Sequence, residues 1–353
     1  MSQAQTSAPE HNVTGIDYAR REHFCYRGPI IDIHTHVTQT RPGDPPAGPP
    51  PENRAGATSE QAAVMLDVAR EFGIVKSVSM CPPEDIPVLR QRFGDAIGFN
   101  GSIVKKTVDD PDDAAIRLLE RFLEQGVAII KYWSAPRGRE RGLFVDAPWR
   151  IETTRRAIAA GVRIFMVHVA DPDAWFGTVY ADAGKFGTKA EQYVGLRRML
   201  EMFPEAAWIG AHMGGDPEHP DHLQALLETY PHLHLDTSAT KWQVREISPR
   251  RTAIRDLMCR HPDRFLFGSD LVTRQHLPRE HYVSRYWCQR TLWESDWQGP
   301  SPIADPDWQQ AEQPTPPLAG VRLPMAVLDK VYFRNAEKLL GNLHVAGCAP
   351  VLS

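Results

Sequence analysis

The stretch Ile30-Ile31-Asp32-Ile33-His34-Thr35-His36 is an apolar, β-branched run that ends in two histidines two residues apart. Residues i and i+2 of a strand point to one face, so His34 and His36 project side by side, as two ligands of one cation must. Four further potential ligands follow at or near the ends of later apolar runs: Lys131, His168, His212 and Asp270. Any one of them alone is more often structural. Their common order and placement is what points to a shared site.

Working outward, short apolar runs recur near residues 30 to 36, 74 to 81, 97 to 104, 127 to 133, 163 to 169, 207 to 213, 233 to 237 and 264 to 270. Segments with helical periodicity separate them, near 58 to 72, 112 to 125, 149 to 160, 190 to 202, 220 to 230 and 250 to 261, and a last one near 325 to 340 closes the set. Eight strands alternating with helices fit an α/β fold of the (β/α)8 TIM-barrel type, distorted by insertions, better than an open doubly wound sheet. In such a barrel the strand ends converge, and the six residues reach a common volume. Imidazole and carboxylate donors suit zinc, iron or manganese, whereas calcium and magnesium prefer shells made of oxygen alone.

The chain of 353 residues carries a formal charge of -4 with both signs dispersed, so it lacks the basic stripe of a nucleic-acid binder. Its five cysteines are scattered and never form a Cys-x-x-Cys pair, which points to a reduced, cytoplasmic setting. No run approaches the length of a membrane span, and neither a membrane nor nucleic acid is expected as partner. We read residues 1 to 27 as a leader and 28 to 345 as one barrel. Insertions fall at about 40 to 56, which is proline-rich, at 172 to 189 and at 272 to 322. The latter two are rich in aromatic residues and follow strands, where a barrel builds its active-site face. They serve either as pocket walls or as packing on the barrel or on a second subunit.

The segments Asp32-Ile33-His34-Thr35-His36, Val167-His168-Val169-Ala170-Asp171-Pro172, Gly210-Ala211-His212-Met213-Gly214, Leu235-Asp236-Thr237-Ser238 and Phe267-Gly268-Ser269-Asp270 carry a resemblance. The chain is similar to the amidohydrolase superfamily, and more closely to its type 2 branch, which includes the aminocarboxymuconate semialdehyde decarboxylases. The resemblance implies that His34, His36 and Asp270 bind one metal, with His168 and His212 on a second metal or on substrate. It also implies that Lys131, if the centre is binuclear, is carboxylated by carbon dioxide to a bridging carbamate. The other reading of Lys131 is an ordinary ammonium.

Two activities follow as expectations. The first is hydrolysis of an ester, thioester, lactone or amide of a small, bulky apolar molecule by a hydroxide formed on the metal, with Asp270 moving the proton and His212 assisting. The alternative is non-oxidative decarboxylation of an aromatic or unsaturated acid, for which one metal suffices. Trp133, on the same side of its strand as Lys131, and Arg274 and His276, in the segment after Asp270, are the substrate-binding candidates. Asp236 either orients a ligand histidine or caps the turn that follows it. The exposed aromatic insertions leave room for a homodimer.

Overall fold

The computed structural model describes residues 10–37, 59–105, 111–274, 277–308 and 314–341. Within them β1 (Ile30–His36), β2 (Ile74–Met80), β3 (Ile97–Ser102), β4 (Ile129–Trp133), β5 (Ile164–His168), β6 (Ala207–Gly210), β7 (Leu233–Asp236), β8 (Phe265–Leu266) and β9 (Leu271–Val272) form one parallel sheet. The strand order runs β8-β7-β6-β5-β4-β3-β2-β1-β9. Helices connect successive strands, among them Ser59–Glu71, Asp112–Glu124, Pro148–Ala159, Lys189–Met202, Pro220–Thr229 and Arg251–Arg260. The helix Ile86–Phe93 between β2 and β3, the helix Thr240–Ile247 after β7 and the sixteen-residue helix Arg279–Glu294 lie outside the segments expected to be helical.

The eighth strand is where the barrel is distorted. β8 pairs with β7, β9 pairs with β1, and residues 267 to 270 between them belong to neither. Ile33 N–H still reaches Phe267 O at 2.9 Å, and Asp270 N–H reaches His34 O at 2.8 Å, so the broken strand closes the barrel. Asp270 sits at φ 59, a left-handed conformation that a short polar side chain tolerates better than most. Gln289 donates to Thr237 O at 3.0 Å and to Gly268 O at 3.4 Å, taking up carbonyls that an unbroken ladder would have used.

Inside the barrel lie Ile31, Ile33, Val78, Ile129, Ile164, Met166, Ile209 and Leu266, with Phe333, Leu339 and Leu340 of the last helical segment packed against them. This apolar plug leaves the other end, at the C-terminal ends of the strands, for polar groups. Strict alternation from Ile31 and Ile33 would turn His34 and His36 away from the interior. The β1–β2 register slips between Asp32 and Thr35, inserting one residue, and that bulge brings both histidines inward. No helix among the described residues is long and apolar enough to cross a membrane.

The turn after β6 is held by close packing. Gly215 has φ +74, and a Cβ there would stand 2.2 Å from Ala170 O, so only glycine lets this turn lie against the end of β5. Asp173, Asp216 and Glu218 cluster beside it around Lys189, whose Nζ is 2.6, 2.7 and 3.3 Å from the three carboxylates in that order. That ammonium ties the 172 to 189 insertion to the β6 turn. The proline-rich insertion at 40 to 56 lies outside the described residues.

Candidate active site

Asp236, the last residue of β7, organises the site. Its Oδ2 accepts from His34 Nδ1 at 2.8 Å, while Oδ1 accepts the His212 backbone N–H at 2.8 Å, the Ser238 backbone N–H at 3.0 Å and the Ser238 hydroxyl. Ser238 Oγ in turn accepts from His212 Nδ1 at 2.7 Å. Burial alone would raise the Asp236 carboxyl, but His34, His212 and Lys131 outweigh it and hold the group well below the usual carboxylate range. An ionised carboxylate only accepts, so the proton between it and His34 belongs to Nδ1. Nε2 of His34 is therefore the lone-pair nitrogen, and the Ser238 relay assigns His212 the same tautomer.

His34 Nε2 lies 3.3 Å from Asp270 Oδ1, and His36 Nε2 lies 2.9 Å from the same oxygen. Burial, followed by the charge of Lys131, lowers the His34 pKa, and burial with His168 lowers that of His212 strongly. Burial would raise Asp270 as well, but its hydrogen bond with His36 and the nearby His212 and His34 keep it far below its ordinary value. The lone pair of a buried, neutral imidazole thus faces an ionised carboxylate oxygen of the half-buried Asp270, an arrangement that a shared cation relieves. His34, His212 and Asp270 each bring one donor atom within 4.8 Å of the others.

The remaining expected residues stand around this group. Lys131 is 4% exposed, and its Nζ has no hydrogen-bond partner among the described residues; burial lowers its pKa to about 8 against the pull of Asp236 and Asp270. His168 packs edge-on against His212 with ring centroids 4.6 Å apart, but its Nε2 is 2.7 Å from Asp171 Oδ1, which keeps that nitrogen out of the group. Tyr180 from the 172 to 189 insertion donates to the other oxygen of Asp171 at 2.6 Å. Trp133 is half-buried with its ring 6.4 Å from His168. Arg274 lines a cavity of about 520 Å³ that also reaches Asp270. His276 lies outside the described residues.

Sequence reasoning missed Trp242. Its ring stands 5.4 Å from His212, 6.2 Å from His168 and 5.2 Å from Trp175, and it lines the same cavity. The aromatic wall therefore begins on the helix after β7 as well as in the 172 to 189 insertion.

Titration of the buried imidazoles has a measurable sign. His34, His212 and His281 all have lowered pKa values, mainly through burial, whereas in the unfolded chain they return to about 6.5. Each contributes stability present above about pH 6.5 and lost as pH falls below it. Asp32 opposes them: burial pushes it up to about 7, so it keeps a proton that the unfolded chain releases near its ordinary 3.8. Three groups outweigh one. The urea midpoint of metal-free protein should therefore fall from about pH 6.5 to about pH 5.5; a flat or rising midpoint would contradict the neutral assignments.

The amidohydrolase family model matches residues 31–341. None of the curated proteins matches the sequence. Among solved structures, an uncharacterized TIM-barrel protein from Bordetella bronchiseptica is 16% identical, with 89% of this chain and 99% of that one covered at a TM-score of 0.53. The 4-oxalomesaconate hydratase of Rhodopseudomonas palustris is 18% identical, covering 89% and 96% at 0.51. An amidohydrolase from Burkholderia multivorans is 12% identical, covering 89% and 99% at 0.51. Likeness at these identities speaks to the barrel. With the family match spanning the whole barrel, the chain belongs to the amidohydrolase family.

Proposed function

We propose that this amidohydrolase is a metal-dependent hydrolase that cleaves an ester, thioester, lactone or amide carbonyl. One observation carries the reading: His34 Nε2, stripped of its proton by the Asp236 hydrogen bond, and His36 Nε2 both converge on Asp270 Oδ1. These donors fit zinc, iron or manganese. Such a cation, when bound, acidifies water from a pKa of 15.7 to about 7 and polarises a carbonyl.

The chain's own residues supply the rest. Asp270 accepts the proton of the attacking water and returns it to the leaving group. His212, fixed by Ser238, presents Nε2 toward the reacting centre and assists there in orienting water. Asp236 holds His34 in one tautomer and the β6 turn in place through the His212 N–H. Trp242 and Trp175 exclude bulk water from the histidine side.

We also propose that Lys131 is carboxylated and, with His168, completes a second metal position. The support is a buried Nζ with no hydrogen-bond partner among the described residues and a pKa lowered to about 8, so that the neutral amine, the form that reacts with carbon dioxide, is accessible near neutral pH. Lys131→Ala should lower metal content from about two ions per chain to about one. Unchanged content would make Lys131 an ordinary amine.

Decarboxylation of an aromatic or unsaturated acid is the competing reading. It is favoured by the engagement of His168 with Asp171, which leaves donors gathered for a single ion. Assaying a panel of esters, thioesters, lactones and amides beside a panel of hydroxybenzoates separates the two. Acyl cleavage without carbon dioxide release supports hydrolysis; carbon dioxide release alone overturns it.

A further inference from the structure

The cavity that reaches Asp270 has a charge pattern that the hydrolytic scheme does not use. Its described lining includes three basic side chains, Lys241, Arg274 and Arg285, beside two carboxylates, Asp270 and Glu10; Arg274 already has a partner, which leaves Lys241 and Arg285 to be accounted for. Asp270 is engaged with His34 and His36. Glu10 is 65% exposed and stands 4.0 Å from Arg285, too far for a hydrogen bond. Lys241 makes no hydrogen bond or ion pair with any described residue; the charges of Asp305, Glu10 and Asp307 act on it, but Asp305 and Asp307 pair with Arg245 at 2.6 and 3.6 Å. Arg285 is buried, and its Nη1 serves His11 Nδ1 at 3.0 Å, Ser284 Oγ at 3.0 Å and His281 O at 3.3 Å, with no carboxylate in hydrogen-bond range.

Two further features favour an anion. The helix Thr240–Ile247 begins at Ala239, at φ 67, with no side-chain cap, and Ala239, Thr240, Lys241 and Trp242 all line the cavity. Its first N–H groups and the positive end of its dipole are thus available to a ligand. His281, which also lines the cavity, has a buried Nδ1 with no hydrogen-bond partner among the described residues, and burial, followed by Arg285, lowers its pKa.

We propose that Lys241, Arg285 and the open N-terminus of the 240–247 helix form a subsite for a carboxylate of the substrate, whose planar body lies on Trp242. The substrate is then an anionic acid that carries the reacting carbonyl elsewhere in the molecule, in place of a purely apolar compound. The choice of bond broken rests on the hydrolytic reading; the anion site does not.

The test uses holoenzyme and benzoate as probe, with benzamide as its neutral counterpart, by calorimetry. Benzoate should bind at least about tenfold more tightly than benzamide, and Lys241→Met should remove that preference while Lys241→Arg restores it. Asp270→Asn should retain benzoate binding, which separates the subsite from a carboxylate seated on metal. Thermal unfolding of each variant checks the fold. Equal binding of the two probes, or benzoate binding indifferent to Lys241→Met, overturns the proposal; so does a preference for phenyl phosphate over benzoate of about tenfold, which would assign a phosphate site. Turnover of monophenyl glutarate in preference to phenyl pentanoate would join subsite and hydrolysis. Failure to cleave either ester, with Lys241-dependent benzoate binding intact, would sink hydrolysis and leave the subsite standing.

Discussion

Asp270→Asn should lower turnover roughly 10²- to 10⁴-fold, the range typical of a lost general base. The substitution keeps the shape of the side chain and the left-handed turn at φ 59, which asparagine also tolerates, so the barrel closure through the Asp270 N–H to His34 O survives. What it removes is the anionic oxygen on which His34 and His36 converge, together with the acceptor for the proton of water. Metal affinity should weaken as well, so turnover is to be compared at saturating metal, with ion content measured on the same sample. Undiminished turnover with intact metal would remove Asp270 from the chemistry.

Much of this site was legible in the chain. His34, His36, His212 and Asp270 were picked out by their positions at or near the ends of apolar runs, and the structure gathers them at one end of the barrel. The reason for the gathering was not legible. Alternation alone pairs the two histidines on one face but puts them on the face opposite Ile31 and Ile33; the bulge between Asp32 and Thr35 is a property of the β1–β2 pairing and leaves no local mark. The interruption between β8 and β9 was hidden for a similar reason, because Phe267-Gly268-Ser269-Asp270 reads as the end of a strand until its two halves take different neighbours.

Trp242, Lys241 and Arg285 were missed because they belong to helices, and a helix that covers a barrel mouth has the same periodicity as one that packs on its flank. Arg274 was named for its position after Asp270, and it does line the cavity. Asp236 was left between two roles. It fills both kinds at once, accepting from His34 with one oxygen and from the backbone of His212 and Ser238 with the other.

Removal of metal should have the second large effect. Dialysis against a strong chelator should cost turnover on the order of 10³-fold, equivalent to about 4 kcal/mol of transition-state stabilisation, and zinc, iron or manganese should restore it. Stability should follow, because a ligand that binds only the folded state stabilises by about 2.7 kcal/mol at a hundredfold excess over its Kd. The geometry explains why: without a cation, the lone pair of His34 stands 3.3 Å from an anionic oxygen and the imidazole is too buried to take a proton readily. Stripped protein should therefore melt at lower temperature and recover on adding metal. A chelated sample that keeps both its turnover and its melting temperature would rule out a metal-dependent reaction.

The account depends most on the claim that His34, His36 and Asp270 hold a divalent cation. Elemental mass spectrometry on protein purified without chelators, wild type beside the His34→Ala, His36→Ala double variant, tests it most directly. The account predicts at least about one zinc, iron or manganese per wild-type chain and a small fraction of that in the double variant, with both still folded. Wild-type protein that carries no metal and takes up none, or a double variant with undiminished content, would contradict it.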